Sequence, residues 1–290
     1  MCGIIGYIGN RDVTPVLLDG LKKLEYRGYD SAGIAVLDGD KIDVVKTKGR
    51  LSVLEEKLKN VDIKGNVGIG HTRWATHGEP NDVNSHPHLS NNGKIAVVHN
   101  GIIENYMQLK EFLISRGYTF KSETDSEVIT NLIEYNYKGN LLQAVIQTLN
   151  DVEGAYALGV ICTECPDKFV AARKDSPLII GLGKGENFIA SDIPAILKYT
   201  RDIYILNDKE VAVISADGAE IFNLLGKKVN HEVFHVDWDV SAAEKGGYEH
   251  FMMKEMSEEP SAVKSTLGPR IQNNRIVFDK LSITDDAVKN

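Results

Sequence analysis

Met1-Cys2-Gly3-Ile4-Ile5-Gly6 opens the chain with a cysteine directly behind the initiator methionine, followed by an apolar run that reads as a strand. With Met1 removed, Cys2 carries both a thiol and a free α-amine, the arrangement in which a terminal amine serves as base for its own side chain. A thiol titrates near about 8.5 and an α-amine near about 7.7–8.0, so moving the proton between them is nearly isoergic. A cysteine at the head of an apolar strand reads equally well as a small buried hydrophobe. The remainder of the chain has to decide between the two.

Composition sets the outer bounds. At 290 residues, 42% hydrophobic and 26% charged, the chain has the balance of a soluble globular protein with a sizeable core, as one large domain or two ordinary ones. A formal net charge of −8 without a compensating Lys/Arg cluster argues against nucleic acid or an anionic membrane as partner and favours small-molecule chemistry. No apolar run approaches the about 20 residues a spanning helix needs. The N-terminus lacks a signal peptide's basic region and cleavage site, and Gly3 is not placed for myristoylation. Three cysteines, Cys2, Cys162 and Cys165, fit a reducing compartment, so the expected location is cytoplasmic. Cys162-Thr163-Glu164-Cys165 has redox or half-zinc-site spacing but no second pair, and reads as structural.

Outward from the first strand, Thr14-Pro15 predicts a helix start, with Val16, Leu17, Leu21 and Leu24 on one face. Strands over 32–37 and 41–47 flank Asp38-Gly39, a hairpin signal, and Ser52 with Glu55 has capping-box spacing for a short helix. Strand candidates at 66–70 and 94–98 enclose a loop dense in His, Asn, Pro and Gly. Three helices are predicted next, from Asn105 to Gly117, Asp125 to Gly139 and Asn140 to about Leu149. From Ala155 to Val236 short apolar segments alternate with Gly, Asp and Pro, with one short helix after Asp192-Ile193-Pro194. Runs of strands beside runs of helices indicate α+β, economically two antiparallel sheets with flanking helices. Composition shifts at 237–247, and an amphipathic helix over 248–257 is predicted to stop before Pro260. Residues 261–290 are too polar for a core of their own.

Three clusters hold functional side chains: His71 to Gly78, Ser85-His86-Pro87-His88, and His99-Asn100-Gly101. Five of the eight histidines fall between 71 and 99, but His86 and His88 without accompanying Cys or carboxylate fall far short of a zinc signature, so no metal is assigned. Asn100-Gly101 reads as a turn, or as an oxyanion hole built from the Asn100 amide and the Gly101 N–H. Arg73 reads as a surface charge or a bidentate carboxylate ligand, and Asp125 as a helix cap or an ammonium ligand.

Together, Met1-Cys2-Gly3-Ile4, the run Leu24-Glu25-Tyr26-Arg27-Gly28-Tyr29-Asp30-Ser31-Ala32-Gly33, His71 to Gly78, Val98 to Asn105 and Ser122-Glu123-Thr124-Asp125 resemble the glutaminase domain of the glutamine–fructose-6-phosphate aminotransferase family over about 240 residues. The resemblance implies a class II glutamine amidotransferase of the N-terminal-nucleophile hydrolase type, with a four-layer αββα sandwich and no cofactor. It implies Cys2 as nucleophile, Asn100 and Gly101 as oxyanion hole, and Arg73, Thr76 and His77 on the α-carboxylate of L-glutamine. Asp125 would hold the α-amino group, Trp74 would lie on a closing loop, and Arg27 and His86 would support the site. Residues 1–240 would form this domain, and 241–290 a linker and the start of a sugar-isomerase domain, cut short. Fructose 6-phosphate would then be a substrate only of a longer, homodimeric parent. The competing readings are the glutaminase half of another class II amidotransferase, such as a phosphoribosyl-pyrophosphate or asparagine-forming type, or a non-catalytic metal-binding or interaction module with Met1 retained.

Overall fold

A strand buried on both faces needs apolar side chains at consecutive positions, and β1 (Gly3–Ile8) is buried at every one. The computed structural model describes residues 2–75, 78–237, 247–248, 251–272 and 275–277 of the chain. After β1 come α1 (Val13–Leu24), β2 (Ser31–Asp38), β3 (Lys41–Lys48), α2 (Leu51–Leu58), β4 (Val67–Arg73), β5 (His88–Leu89) and β6 (Ile95–Ile103). The helices α3 (Tyr106–Ile114), α4 (Ser126–Asn136) and α5 (Leu141–Asp151) then lead to β7 (Gly154–Cys162), β8 (Lys168–Lys174), β9 (Ile179–Leu182) and β10 (Asn187–Ala190). The series closes with β11 (Asp202–Ile205), β12 (Glu210–Ser215), β13 (Gly218–Asn223), β14 (Lys228–Val229) and β15 (Phe234–His235).

Among the described residues these strands make two antiparallel sheets, ordered β15-β11-β9-β10-β1-β4-β2-β3 and β14-β13-β12-β8-β7-β6-β5. Alternation along each central strand divides its side chains between two cores. Ile4 and Ile8 of β1 and Ala96 and Val98 of β6 join Ile69, Phe169 and Ile189 between the sheets. On the outer face of the second sheet, Ile95 and Val97 pack with Leu132, Ile133 and Val145 of α4 and α5. On the outer face of the first, Gly20 of α1 lies so close to Ile5 that a Cβ would stand 2.8 Å from its side chain. The result is the αββα sandwich that the resemblance implied.

Several local expectations are corrected. Asp12, not Thr14, caps α1, because its carboxylate accepts from the Thr14 N–H at 3.2 Å. Ser52 forms no capping box: the N–H of Leu51 donates to Glu25 at 3.2 Å instead. Both β4 and β6 outrun their predicted ends, so His71-Thr72-Arg73 and Asn100-Gly101 are strand rather than loop and turn. The strands β5, β13 and β14 escape the apolar pattern because they are short or bury few residues. By contacts the chain divides into residues 1–238 and 239–290. In the second unit, α6 (Phe251–Leu267) runs through Pro260 rather than stopping before it. The carbonyl that Pro260 leaves without an N–H partner belongs to Met256, which is exposed and can be hydrated.

At one end of the sandwich four buried histidines replace apolar packing: His71, His86, His88 and His99. The His71 and His86 rings stack at 4.2 Å, and His86 meets His88 edge-on at 4.7 Å. Burial pushes all four pKa values down, His71 to about 3, so the rings are neutral in the folded protein. In the unfolded chain they titrate near about 6.5, so protons taken up only by the unfolded state leave stability intact above about pH 7 and erode it as pH falls. Urea unfolding at pH 7.5 and 5.5 should show a loss of up to about 5 kcal/mol, at about 1.4 kcal/mol for each imidazole per pH unit below 6.5. A loss below about 1 kcal/mol would mean that these rings are protonated in the fold.

Candidate functional site

The C-terminal ends of β4 and β6, from facing sheets, arrive beside the start of β1. Gly3 and Ile4 pair with Thr72 and His71, which places Cys2 alongside Arg73 and Trp74. A Cβ on Gly3 would stand 2.6 Å from Thr72 Oγ1 and 2.7 Å from Leu24, so glycine lets the strand and α1 close up behind the cysteine. Cys2 Sγ accepts from the Trp74 N–H at 3.2 Å. Burial pushes the thiol pKa up, against the pull of the Trp74 N–H and of Arg73. Cys2 is therefore a protonated thiol that needs a base.

Asn100 reaches across from the other sheet. Its Nδ2 donates to the Cys2 carbonyl at 3.0 Å, while its Oδ1 accepts from His71 Nε2 at 2.9 Å. His71 Nε2 is also 3.1 Å from the His99 carbonyl. Both partners of Nε2 are acceptors, so the ring carries its hydrogen there and fixes which way the Asn100 amide points. Gly101 adopts φ +134°, and a Cβ would stand 2.0 Å from the Ala155 carbonyl oxygen, so glycine alone fits the strand at this point.

Asp125 stands at the N-terminus of α4 but makes no capping bond with its side chain, contrary to the simplest reading. Instead its Oδ2 accepts from the Ile103 N–H at 2.8 Å, which ties the start of α4 to the end of β6. Arg73 is only 4% exposed, and burial lowers its pKa against the opposing influence of Cys2, Asp30 and Asp125. Its Nη2 donates to the Gly78 carbonyl at 3.3 Å. Cys2, Arg73, Trp74, His86, Gly101 and Asp125 line one small cavity of about 20 Å³, room for about one water.

Asp30, unassigned from the sequence, holds the neighbouring backbone. Its carboxylate accepts from the Ala75 N–H at 2.7 Å, and its own N–H donates to the Arg73 carbonyl at 3.1 Å. Gly28 packs against the same turn, where a Cβ would stand 2.6 Å from the Arg73 carbonyl carbon. The signal for both was the Arg27-Gly28-Tyr29-Asp30 run itself. Trp74 is 45% exposed and meets Tyr29 edge-on at 5.6 Å. Thr76 and His77 lie outside the described residues.

Arg27 is not among the described residues lining the cavity. It pairs with Asp192 at 2.6 Å, a carboxylate that Tyr26 also contacts. The adjoining Ser191 accepts from the Ile4 N–H at 2.9 Å, so Arg27 braces the start of β1 at one remove. His86 accepts at Nδ1 from the His99 N–H at 3.2 Å. Cys162 and Cys165 are buried away from these groups, and burial pushes the Cys162 thiol up to about 11. Among the described residues no cluster of three or more His, Cys, Asp and Glu could hold a metal ion. No helix among them is long and apolar enough to cross a membrane.

Residues 71–198 match the glutamine amidotransferase domain family. Over all 290 residues the chain is 60% identical to glutamine–fructose-6-phosphate aminotransferase (isomerizing) of Caldanaerobacter subterraneus subsp. tengcongensis, and 50% identical to that of Thermotoga maritima over an alignment of 291 positions. It spans about half of these relatives, 48% of each. Among solved structures it resembles the glutamine phosphoribosylpyrophosphate amidotransferase of B. subtilis, with a TM-score of 0.67 and 28% identity over 77% of this chain and 49% of that one. Sequence and fold agree: the chain carries a domain of the class II glutamine amidotransferase family.

Proposed function

We propose that the domain hydrolyses L-glutamine to glutamate and ammonia through a γ-glutamyl thioester on Cys2. The observation that carries this reading is the meeting in one place of a thiol, an oriented carboxamide and two opposite buried charges, at Cys2, Asn100, Arg73 and Asp125. Once Met1 is removed, the α-amine of Cys2 takes the thiol proton as sulfur attacks the γ-carbonyl carbon. The Asn100 amide, turned by His71, and the Gly101 N–H receive the negative oxygen of the tetrahedral state. The C–N bond then breaks, the proton passes to the departing ammonia, and water releases glutamate from the thioester.

Glutamine is a zwitterion, and a water-poor cavity demands a partner for each end. Arg73, with Thr76 and His77, takes the α-carboxylate, and Asp125 takes the α-ammonium. A space of about 20 Å³ is too small for an amino acid, so the half-exposed Trp74 gives way to admit substrate and closes over it. Arg27 and His86 support the arrangement from behind.

The 60% identity over the full chain favours the ammonia-supplying half of glucosamine-6-phosphate synthesis over other class II amidotransferases. Residues 1–240 then form the glutaminase domain, and 241–290 lead into the sugar-isomerase half of a longer, cytoplasmic, homodimeric parent that takes fructose 6-phosphate.

Cys2→Ala should abolish glutamate release, and a protein whose mass shows a residue ahead of Cys2 should be nearly as inactive, since it keeps the thiol but loses the base. Full activity with Met1 in place would contradict the mechanism. Asn100→Ala should lower kcat by about 10²–10³ with KM little changed, because the charge it meets exists only in the tetrahedral state. Asp125→Ala should instead lower kcat/KM about 10²-fold or more through glutamine binding, as an unpaired buried charge costs about 2–5 kcal/mol. If Asn100→Ala changed only KM, that residue would belong to binding rather than chemistry.

A further inference from the structure

Lys46, on edge strand β3, aims its ammonium at backbone rather than at a carboxylate. Nζ donates to the carbonyls of Ser85 at 2.7 Å, Val83 at 3.1 Å and Pro87 at 3.2 Å. Three acceptors match the three N–H bonds of an ammonium, so the side chain is saturated by one short segment. His86 sits in the middle of that segment. Its carbonyl presses so close to β2 that a Cβ on Gly33 would stand 2.2 Å from it, and Gly33 pairs with Lys46 across the hairpin. From His86 the contacts run inward, to the His99 N–H and to the stacked His71 ring that orients Asn100.

We infer that Lys46 is a positioning residue of the glutamine site: its ammonium clamps the 83–87 segment, and through His86 and His71 sets the Asn100 amide against Cys2. The inference rests on the glutaminase reading above and adds to it the group that holds the imidazole stack in place. Lys46 lies on the wall of a cleft of about 900 Å³ between β3 and β5, so its proton can exchange with solvent. Facing it are Asp82 beside the clamped segment, His88 on β5, Glu127 on α4, Lys121 ahead of α4, Arg73 on β4 and Lys57 on α2. Burial outweighs the two carboxylates and lowers the Lys46 pKa to about 8. Below that value three charge-assisted bonds hold the segment. Above it a neutral amine has two N–H bonds for three carbonyls, and each bond is weaker.

The test compares wild type, Lys46→Met and Lys46→Arg, with glutamate release followed from pH 6 to 10. Lys46→Met should lose about 10-fold to 100-fold in kcat with KM little changed, the scale of misplacing a reacting group by a fraction of an ångström to one ångström. Wild type should decline above about pH 8, and Lys46→Arg, which stays charged, should keep activity at pH 7 and lose that decline. Unchanged kcat in folded Lys46→Met, or the same alkaline decline in Lys46→Arg as in wild type, would overturn the inference. Should Lys46→Met fail to fold, the Lys46→Arg profile decides. If wild type releases no glutamate, the glutaminase reading fails separately, and the ¹⁵N shifts of the Asn100 amide and the His71 and His86 rings test the clamp without activity. They should move in Lys46→Met and return in Lys46→Arg; shifts that stay put would overturn the clamp.

Discussion

The hydrogen bond from the Asn100 amide to the Cys2 carbonyl joins the two sheets at the place where chemistry is expected, and much of the surrounding structure serves to keep it. Asn100 comes from β6 and Cys2 from the start of β1, residues 98 positions apart in sequence. A carboxamide can present either its donor or its acceptor, and the two are nearly isosteric. The His71 N–H on Oδ1 removes that freedom. His71 must in turn be held in place, and His86 stacks on it at 4.2 Å.

Neutral imidazoles suit this position for a physical reason. A ring with one donor and one acceptor can pass hydrogen-bond direction from one element to the next without adding net charge to a buried site. The formal charges that line the cavity are those of Arg73 and Asp125. Two further charges nearby hold structure: Asp30 accepts from the Ala75 N–H, and Asp192 pairs with Arg27. At the thiol itself, burial outweighs the opposing pull of the Trp74 N–H and of Arg73 and raises the Cys2 pKa.

How much of this was legible in the sequence varies with the kind of signal. The double burial of Gly3–Ile8, the Asp38-Gly39 hairpin and the apolar faces of α1, α4 and α5 follow from local periodicity, and they point to the α+β class. The layer order required the resemblance, because periodicity says that a face is buried but not against what. Cys2, Arg73, Trp74, Gly101 and Asp125 were named from motifs, and the structure gathers them around one cavity. What stayed hidden depends on contacts distant in sequence. Glu25 capping α2 and Asp125 accepting from Ile103 are long-range substitutes for caps that a local rule assigns to neighbours. Short edge strands such as β14 carry too few residues to show a period. Lys46 looks like any lysine on a hairpin until the 83–87 segment is folded over it.

The most direct measurement of the central claim is to treat the protein with a glutamine-mimicking electrophile and map the adduct by peptide mass spectrometry. The account predicts one adduct, on the Cys2 thiol of a chain that has lost Met1, with Cys162 and Cys165 untouched and with free glutamine protecting against labelling. Labelling at Cys162 or Cys165 instead, or an unprotected reaction at Cys2 that glutamine does not slow, would contradict it.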